Sequence, residues 1–250
     1  MSVRFVLRDA ERGLTVLPST GAYASYVSGH PEGVITRRSS FNFGDWQSGI
    51  AGFGPLKVFG EETFTPGGTG YTMHPHHNFI ILALVLAGTL THVNTLGAVE
   101  QLRAGDYYAF AAGSGGKHSE LNIGVEDTAI LYVWLLPAHL LGPPSYRKGR
   151  FEAAACRNRL TPLIGAAAGA LPVDQDCALW RLTSDRGRHH EYRPAPGRGV
   201  YAFVLEGEVE LAGTVLRRRD SLALVDESIV PVVACTEADL LLFETAISGF

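Results

Sequence analysis

The chain has 250 residues, 21 Lys and Arg against 25 Asp and Glu, a formal net charge of −4 and 46% hydrophobic residues. That composition suits a globular chain with a core of its own, and 18% charged residues are too few for a long disordered segment. The basic residues are 18 Arg and 3 Lys with no dense block, which argues against a nucleic-acid partner.

Cys156, Cys177 and Cys235 form no CxxC pair and no disulfide framework. The start, Met1-Ser2-Val3-Arg4-Phe5, carries charge early and leads into no apolar stretch of signal-peptide type. The longest apolar run, Phe79 to Ala87, spans nine residues, against the ~20 that a membrane-crossing helix needs. These features predict a cytoplasmic chain with no membrane partner.

Glycines and prolines punctuate short runs rich in Val, Leu, Phe and Tyr, the rhythm of an all-β chain. Strands are predicted over Val3–Leu7, Leu56–Thr65, Phe79–Leu86, Leu90–Asn94, Tyr107–Ala111 and Ala129–Leu135. A second set covers Leu179–Thr183, Tyr201–Leu205, Glu208–Leu211, Ser221–Val225, Val230–Ala234 and Leu240–Glu244. Arg147 to Ala170 reads as helix or loop. It follows the stiff Gly142-Pro143-Pro144, where the domain junction is placed. The expected division is residues 1–140, a linker over 141–170, and 171–250.

The halves resemble each other. Leu84-Val85-Leu86-Ala87-Gly88 precedes a hairpin and then Leu102-Arg103-Ala104-Gly105-Asp106. Phe203-Val204-Leu205-Glu206-Gly207 likewise precedes Leu216-Arg217-Arg218-Arg219-Asp220. Two copies of one β-barrel unit is the economical reading.

Histidines cluster between residues 74 and 118. In a strand, residues i and i+2 share a face, so His74 and His76 point one way, as do His118 and Glu120. A lone His-x-His is a common surface feature, but two same-face pairs in one barrel can bring three nitrogens and one oxygen to one point. That set suits a divalent transition metal and includes the two-His-one-carboxylate group that leaves positions open on Fe(II). His77 alternates away, His92 is expected to serve the following hairpin, and Glu61 and Glu62 read as a solvated edge. Adjacent His189 and His190 face opposite sides, so the second half is expected to hold no metal. Arg217-Arg218-Arg219 reads as a solvated turn, and Cys177 and Cys235 as packing residues.

Ser40-Phe41-Asn42-Phe43-Gly44-Asp45-Trp46, Gly52-Phe53-Gly54-Pro55-Leu56-Lys57-Val58 and His74-Pro75-His76 resemble the N-terminal signature of the pirin family. Ala111 to Glu120 with Asn122, Tyr132 to Pro137, and Pro144-Ser145-Tyr146 continue the likeness. Weaker matches follow at Val173 to Trp180 and Leu241 to Glu244. The resemblance implies two tandem cupin (jelly-roll) barrels, with one metal in the first, held by His74, His76, His118 and Glu120. It also implies two functions found in the family. One is quercetin 2,3-dioxygenase activity, which here reads as action on a flat, hydroxylated, apolar aromatic substrate; on that reading Glu120 is also the candidate base. The other is a non-catalytic, metal-dependent regulatory role with a protein partner. Fe(II) is the expected metal, and Mn, Ni, Co, Cu or Zn fit the same donors.

Two departures stand out. Where the family usually carries a basic residue after His-Pro-His and a Glu three positions on, this chain has His77 and Ile80. Where Glu-His-x-Asp-Ser is common, it has Thr91-His92-Val93-Asn94-Thr95. Ile80 shares the parity of His74 and His76, which predicts an aliphatic wall and a drier, more apolar cavity. That loss of acidity is a feature in favour of the binding role. Four ligands, however, leave coordination positions open where a structural metal site closes its shell, and the enzyme is the preferred reading.

Overall fold

A computed structural model of the chain describes residues 2–247. Its regular structure is β-strand and two short 3-10 turns, with no α-helix among the described residues. Among the described residues no helix is long and apolar enough to cross a membrane. The chain divides into two compact units. One takes Gly13–Phe151 with Val173–Gln175, and the other takes the residues through Arg12, Glu152–Pro172 and the chain from Asp176.

Strand β1 (Ser2–Leu7) belongs to the second unit. The first unit contains β2 (Gly13–Pro18), β3 (Val27–Ser28), β4 (Val34–Ser39), β5 (Leu56–Phe64), β6 (Thr69–His76) and β7 (Ile80–Ala87). It continues with β8 (Thr89–Asn94), β9 (Val99–Arg103), β10 (Asp106–Ala111), β11 (Gly116–Asn122), β12 (Thr128–Leu135) and β13 (Ser145–Arg150). These form two antiparallel sheets, ordered β13-β10-β7-β12-β5-β4-β2 and β3-β6-β11-β8-β9. Between the sheets lies a core that includes Ile81, Ala83 and Val85 of β7 with Tyr108, Phe110, Ile130 and Tyr132, against Val27, Tyr71 and Leu90. The alternate residues Ile80, Leu82 and Leu84 are buried too. Strand β7 is thus covered on both faces, which is why it reads as an unbroken apolar run.

The second unit adds β14 (Thr161–Ile164), β15 (Cys177–Ser184), β16 (His189–Tyr192), β17 (Arg198–Glu206) and β18 (Glu208–Leu211). Strands β19 (Thr214–Arg217), β20 (Ser221–Val225), β21 (Val230–Ala234) and β22 (Ala238–Ala246) complete it. Its sheets run β1-β20-β17-β22-β15-β14 and β16-β21-β18-β19. Each unit is a two-sheet antiparallel sandwich of jelly-roll type, and the tandem-cupin expectation holds.

Arg147 to Ala170 is not helical. After Pro143-Pro144 the chain returns as β13 and closes the edge of the β10 sheet, so the first unit runs on to Phe151. Strand β14 then forms from Thr161 to Ile164 by pairing with β15. A sheet edge in need of a partner outweighs the modest helix preference of the alanines nearby.

The internal repeat is visible in the turns. Gly88 and Gly207 both end a strand at positive φ, 72° and 83°. A Cβ on either would collide with a backbone carbonyl, that of Asp127 or Glu237. Later in each copy an Asp side chain closes the turn: Asp106 Oδ2 accepts from the Arg103 N–H at 2.8 Å, and Asp220 Oδ2 from the Arg217 N–H at 3.0 Å. Arg219 departs from the solvated-turn reading. It occupies the place of Gly105, with φ of 69°, and is buried with Nη1 donating to the Leu205 carbonyl.

Gly207→Ala is expected to destabilise the protein by about 3 kcal/mol, from left-handed backbone strain plus the carbonyl collision. Urea unfolding measures it, and a change below about 0.5 kcal/mol, as for an ordinary surface position, would contradict the geometry.

Candidate metal centre

Strands β6 and β11 are neighbours, and their register sets His118 directly opposite His74. The shared face carries His76 along with them, and the three ring centroids stand 4.5 to 4.9 Å apart. One nitrogen from each ring lies within 4.8 Å of the other two. His74 donates from Nδ1 to the Thr72 carbonyl at 2.7 Å, which leaves Nε2 as its lone pair. His76 Nε2 and His118 Nε2 are buried with no hydrogen-bond partner. Burial lowers all three histidines, His76 to about 4, so the rings are neutral near pH 7. Three neutral imidazoles with one nitrogen each converging on a common point are a donor set that fits a divalent transition metal.

Glu120 stands beside this group and is 2% exposed. Its Oε2 lies 3.7 Å from His118 Nε2. Its Oε1 accepts from the Tyr132 hydroxyl at 3.0 Å and from the Tyr108 hydroxyl. Burial pushes its carboxyl up to about 8, and the two tyrosine hydrogen bonds oppose that rise without cancelling it. Tyr108 and Tyr132 themselves stay phenolic, raised first by burial and then by Glu120.

A cavity of about 280 Å³ opens onto the histidines. Aromatic rings of Tyr26, Phe43, Tyr71, Tyr132 and Trp134 wall it, together with Arg37, Glu62 and Glu120. The Trp134 ring meets His76 edge-on at 5.0 Å and Phe43 at 5.5 Å. Tyr71 enters through a register shift between β6 and β11. His118 pairs with His74 but Glu120 pairs with Tyr71, so β6 has one residue more than its partner over that span. The bulge turns Tyr71 toward the cavity that simple alternation reserves for His74 and His76.

Glu62 is not a solvated edge. It is 5% exposed, with Oε1 2.6 Å from Arg37 Nε and Oε2 accepting from the Tyr71 hydroxyl at 2.7 Å. Arg37 Nη2 also donates to Tyr71 Oη at 2.6 Å, and its guanidinium lies 4.3 Å over the Phe43 ring. Burial works to lower the guanidinium, and Glu62 and Tyr71 outweigh it, so Arg37 keeps its charge. The carboxylate is buried because β4 presents Arg37 opposite Glu62 in the β4–β5 ladder.

Ile80 is not a wall of the cavity. Strand β6 ends at His76 and Asn78 turns the chain at φ of 54°, so β7 begins a new parity count in the other sheet. Ile80 is buried between Ala111 and Leu135 on neighbouring strands, while Ile81 faces the barrel interior. The cavity is walled by aromatic rings, with Arg37, Glu62 and Glu120 on one side, and Ile80 is not among its lining residues.

His77 is exposed and lies outside the three-histidine group, as alternation predicts. His92 does not serve its hairpin. That turn is closed by Asn94, whose Oδ1 accepts from Leu96 N and Ala98 N, while His92 is fully buried with Nε2 3.2 Å from His118 Nδ1. In the second unit His190 Nε2 bonds Ser184 Oγ at 2.7 Å and His189 is exposed. Sequence reasoning assigned no role to Tyr26, Arg37, Tyr71 or Tyr108. Phe43, Tyr132 and Trp134 stood inside the quoted motifs without one.

Residues 34–135 match the pirin family and residues 165–245 the quercetinase C-terminal cupin domain. A quercetin 2,3-dioxygenase of Escherichia coli K12 is 31% identical over 207 residues, 82% of this chain and 89% of that protein. A pirin-like protein of Caulobacter vibrioides is 29% identical over 224 residues, 88% and 96% of the two chains. Among solved structures, the bacterial pirin YhhW of Escherichia coli in complex with nickel(II) superposes with a TM-score of 0.84. It is 26% identical, covering 97% of this chain and 98% of that one. Two jelly-roll units, the His-Pro-His and His-Ser-Glu segments facing each other across β6 and β11, and matches in both halves converge: this chain belongs to the pirin family.

Proposed function

We propose that this chain is a metal-dependent dioxygenase of the quercetin 2,3-dioxygenase type, acting on a flat, hydroxylated aromatic substrate. The observation that carries the reading is the meeting of three convergent histidine nitrogens with an aromatic-walled cavity. The likeness to a quercetin 2,3-dioxygenase over 82% of the chain supports it. His74, His76 and His118 would hold the ion with Glu120 as the fourth donor, and Fe(II) suits this nitrogen-and-oxygen set. A bound divalent ion supplies Lewis acidity and, for Fe(II), redox chemistry toward dioxygen.

The chain's own groups do the rest. Phe43, Trp134 and Tyr26 present ring faces and edges between which a planar substrate can lie. Glu120 is the base for the substrate hydroxyl. Its Oε1 is fixed by Tyr108 and Tyr132, and its Oε2 is the oxygen on the histidine side. A carboxyl that burial raises toward neutrality is well matched to taking up a proton and giving it back. The charged wall of Arg37 and Glu62 orients the hydroxylated edge of the substrate. The alternative regulatory role with a protein partner drew its support from the lost acidic residues, Ile80 above all, and Ile80 is not among the residues that line the cavity.

Protein purified anaerobically, without chelator or His tag, is expected to carry close to one transition metal per chain by mass spectrometry. It is also expected to consume dioxygen when quercetin or a related flavonol is added. Metal-free protein, or loaded protein inert toward every flavonol and catechol tried, would contradict the proposal.

A further inference from the structure

We propose that His92 is a positioning residue of the metal centre, accepting the Nδ1 proton of His118 so that the Nε2 lone pair of His118 is available to the ion. The inference rests on the reading of His118 as a ligand. His92 sits on β8 opposite Glu120 of β11, fully buried, with Nε2 3.2 Å from His118 Nδ1. Its ring is stacked on Tyr146, with centroids 5.0 Å apart and planes 9° from parallel, and lies 4.3 Å from the Tyr108 ring. The ring therefore has one place to stand, and among the described residues its hydrogen bond is to His118, with His92 Nδ1 buried without a partner.

Each neutral imidazole carries one N–H, so the bond between the two rings has two arrangements. If His92 Nε2 donates, His118 holds its proton on Nε2 and cannot ligate through that atom. If His118 Nδ1 donates, its Nε2 is free for a metal, and the proton of His92 sits on Nδ1. Each arrangement buries one N–H that has no hydrogen-bond partner, at His118 Nε2 in the first and at His92 Nδ1 in the second, so neither is favoured on that count. An ion held at His118 Nε2 selects the second arrangement, in which His92 is the acceptor. The count balances: His118 loses a proton from Nε2 and gains one on Nδ1 from His92, which takes one up on its own Nδ1. His74 differs, because its Nδ1 faces the Thr72 carbonyl, an acceptor that cannot donate. Partners that orient a ligating histidine in this way commonly contribute tenfold to a hundredfold in metal affinity.

Zn(II) serves as a diamagnetic probe. Long-range nitrogen–proton correlation spectra of the wild-type protein with and without Zn(II) report which ring nitrogens are protonated. The expected spectrum of the Zn(II) form has His118 and His92 both protonated on Nδ1. A loaded form with His92 protonated on Nε2 overturns the proposal without requiring any variant to fold. In chelator competition, His92→Phe keeps the stacked ring but removes the acceptor, and is expected to bind Zn(II) tenfold to a hundredfold more weakly. His92→Gln, whose Oε1 reaches the place of Nε2, is expected to recover most of that loss. His92→Phe binding Zn(II) as tightly as the wild type overturns the positioning role alone. A wild-type chain that binds no Zn(II) overturns the metal reading and this role with it.

Discussion

Oxygen uptake with quercetin is expected to fall at least about a hundredfold when Glu120 is replaced by Gln, the loss typical of removing a general base. The metal is expected to stay, more weakly held, on His74, His76 and His118. The substitution is nearly isosteric, and Gln Oε1 still accepts from Tyr108 and Tyr132. What changes is the other atom: an NH₂ takes the place of Oε2, beside His118 Nε2, where it neither ligates nor accepts a proton. An oxygen electrode and metal analysis on the same sample separate the two effects. Retained metal with lost turnover assigns Glu120 the base role, and loss of both makes it chiefly a ligand. Full turnover in Glu120→Gln would move the base elsewhere, with Glu62 the remaining carboxylate on the cavity wall. Tyr132→Phe, which removes one of the two donors to Oε1, is expected to produce the same defect in weaker form.

The His-x-His and His-x-Glu pairs were legible because they depend only on alternation within single strands, and β6 and β11 are regular where those pairs lie. Alternation failed wherever the chain stopped being one strand. Ile80 was counted across a turn at Asn78 that resets parity, and Tyr71 was hidden by the bulge in β6. Long-range pairing was the other blind spot. Arg37 lies in Val34–Ser39, a segment whose charged and hydroxyl residues do not announce a strand, and it reaches Glu62 across 25 residues. His92 looked local because its real partner, His118, is 26 residues away on the next strand of the sheet. The repeat was legible for a related reason: its signals are turn residues, Gly88 and Gly207, whose role is fixed by local backbone geometry.

The Arg37–Glu62 pair tests whether the polar side of the cavity is structural as well as functional. The two side chains are 11% and 7% exposed, so neither charge can turn to water if the other is removed. Glu62→Gln leaves the guanidinium buried and uncompensated and withdraws the carboxylate that the Tyr71 hydroxyl donates to. The expected loss is about 3–5 kcal/mol of unfolding free energy, the range for breaking a buried ion pair from one side. Replacing both partners, Arg37→Met with Glu62→Leu, removes the two desolvation costs together and is expected to recover most of the loss. Urea unfolding of the two single variants and the double variant gives a coupling energy directly, and sites in direct contact are where additivity should fail. If the singles lose under about 1 kcal/mol, the pair behaves as a surface salt bridge and its burial has been misjudged. If the double variant is stable but its KM for quercetin rises while kcat holds, the pair's contribution is to binding, because uniform loss of substrate affinity moves KM alone. A fall in kcat instead would show that the wall reaches the reacting atoms through Tyr71, whose ring stands 5.8 Å from His74.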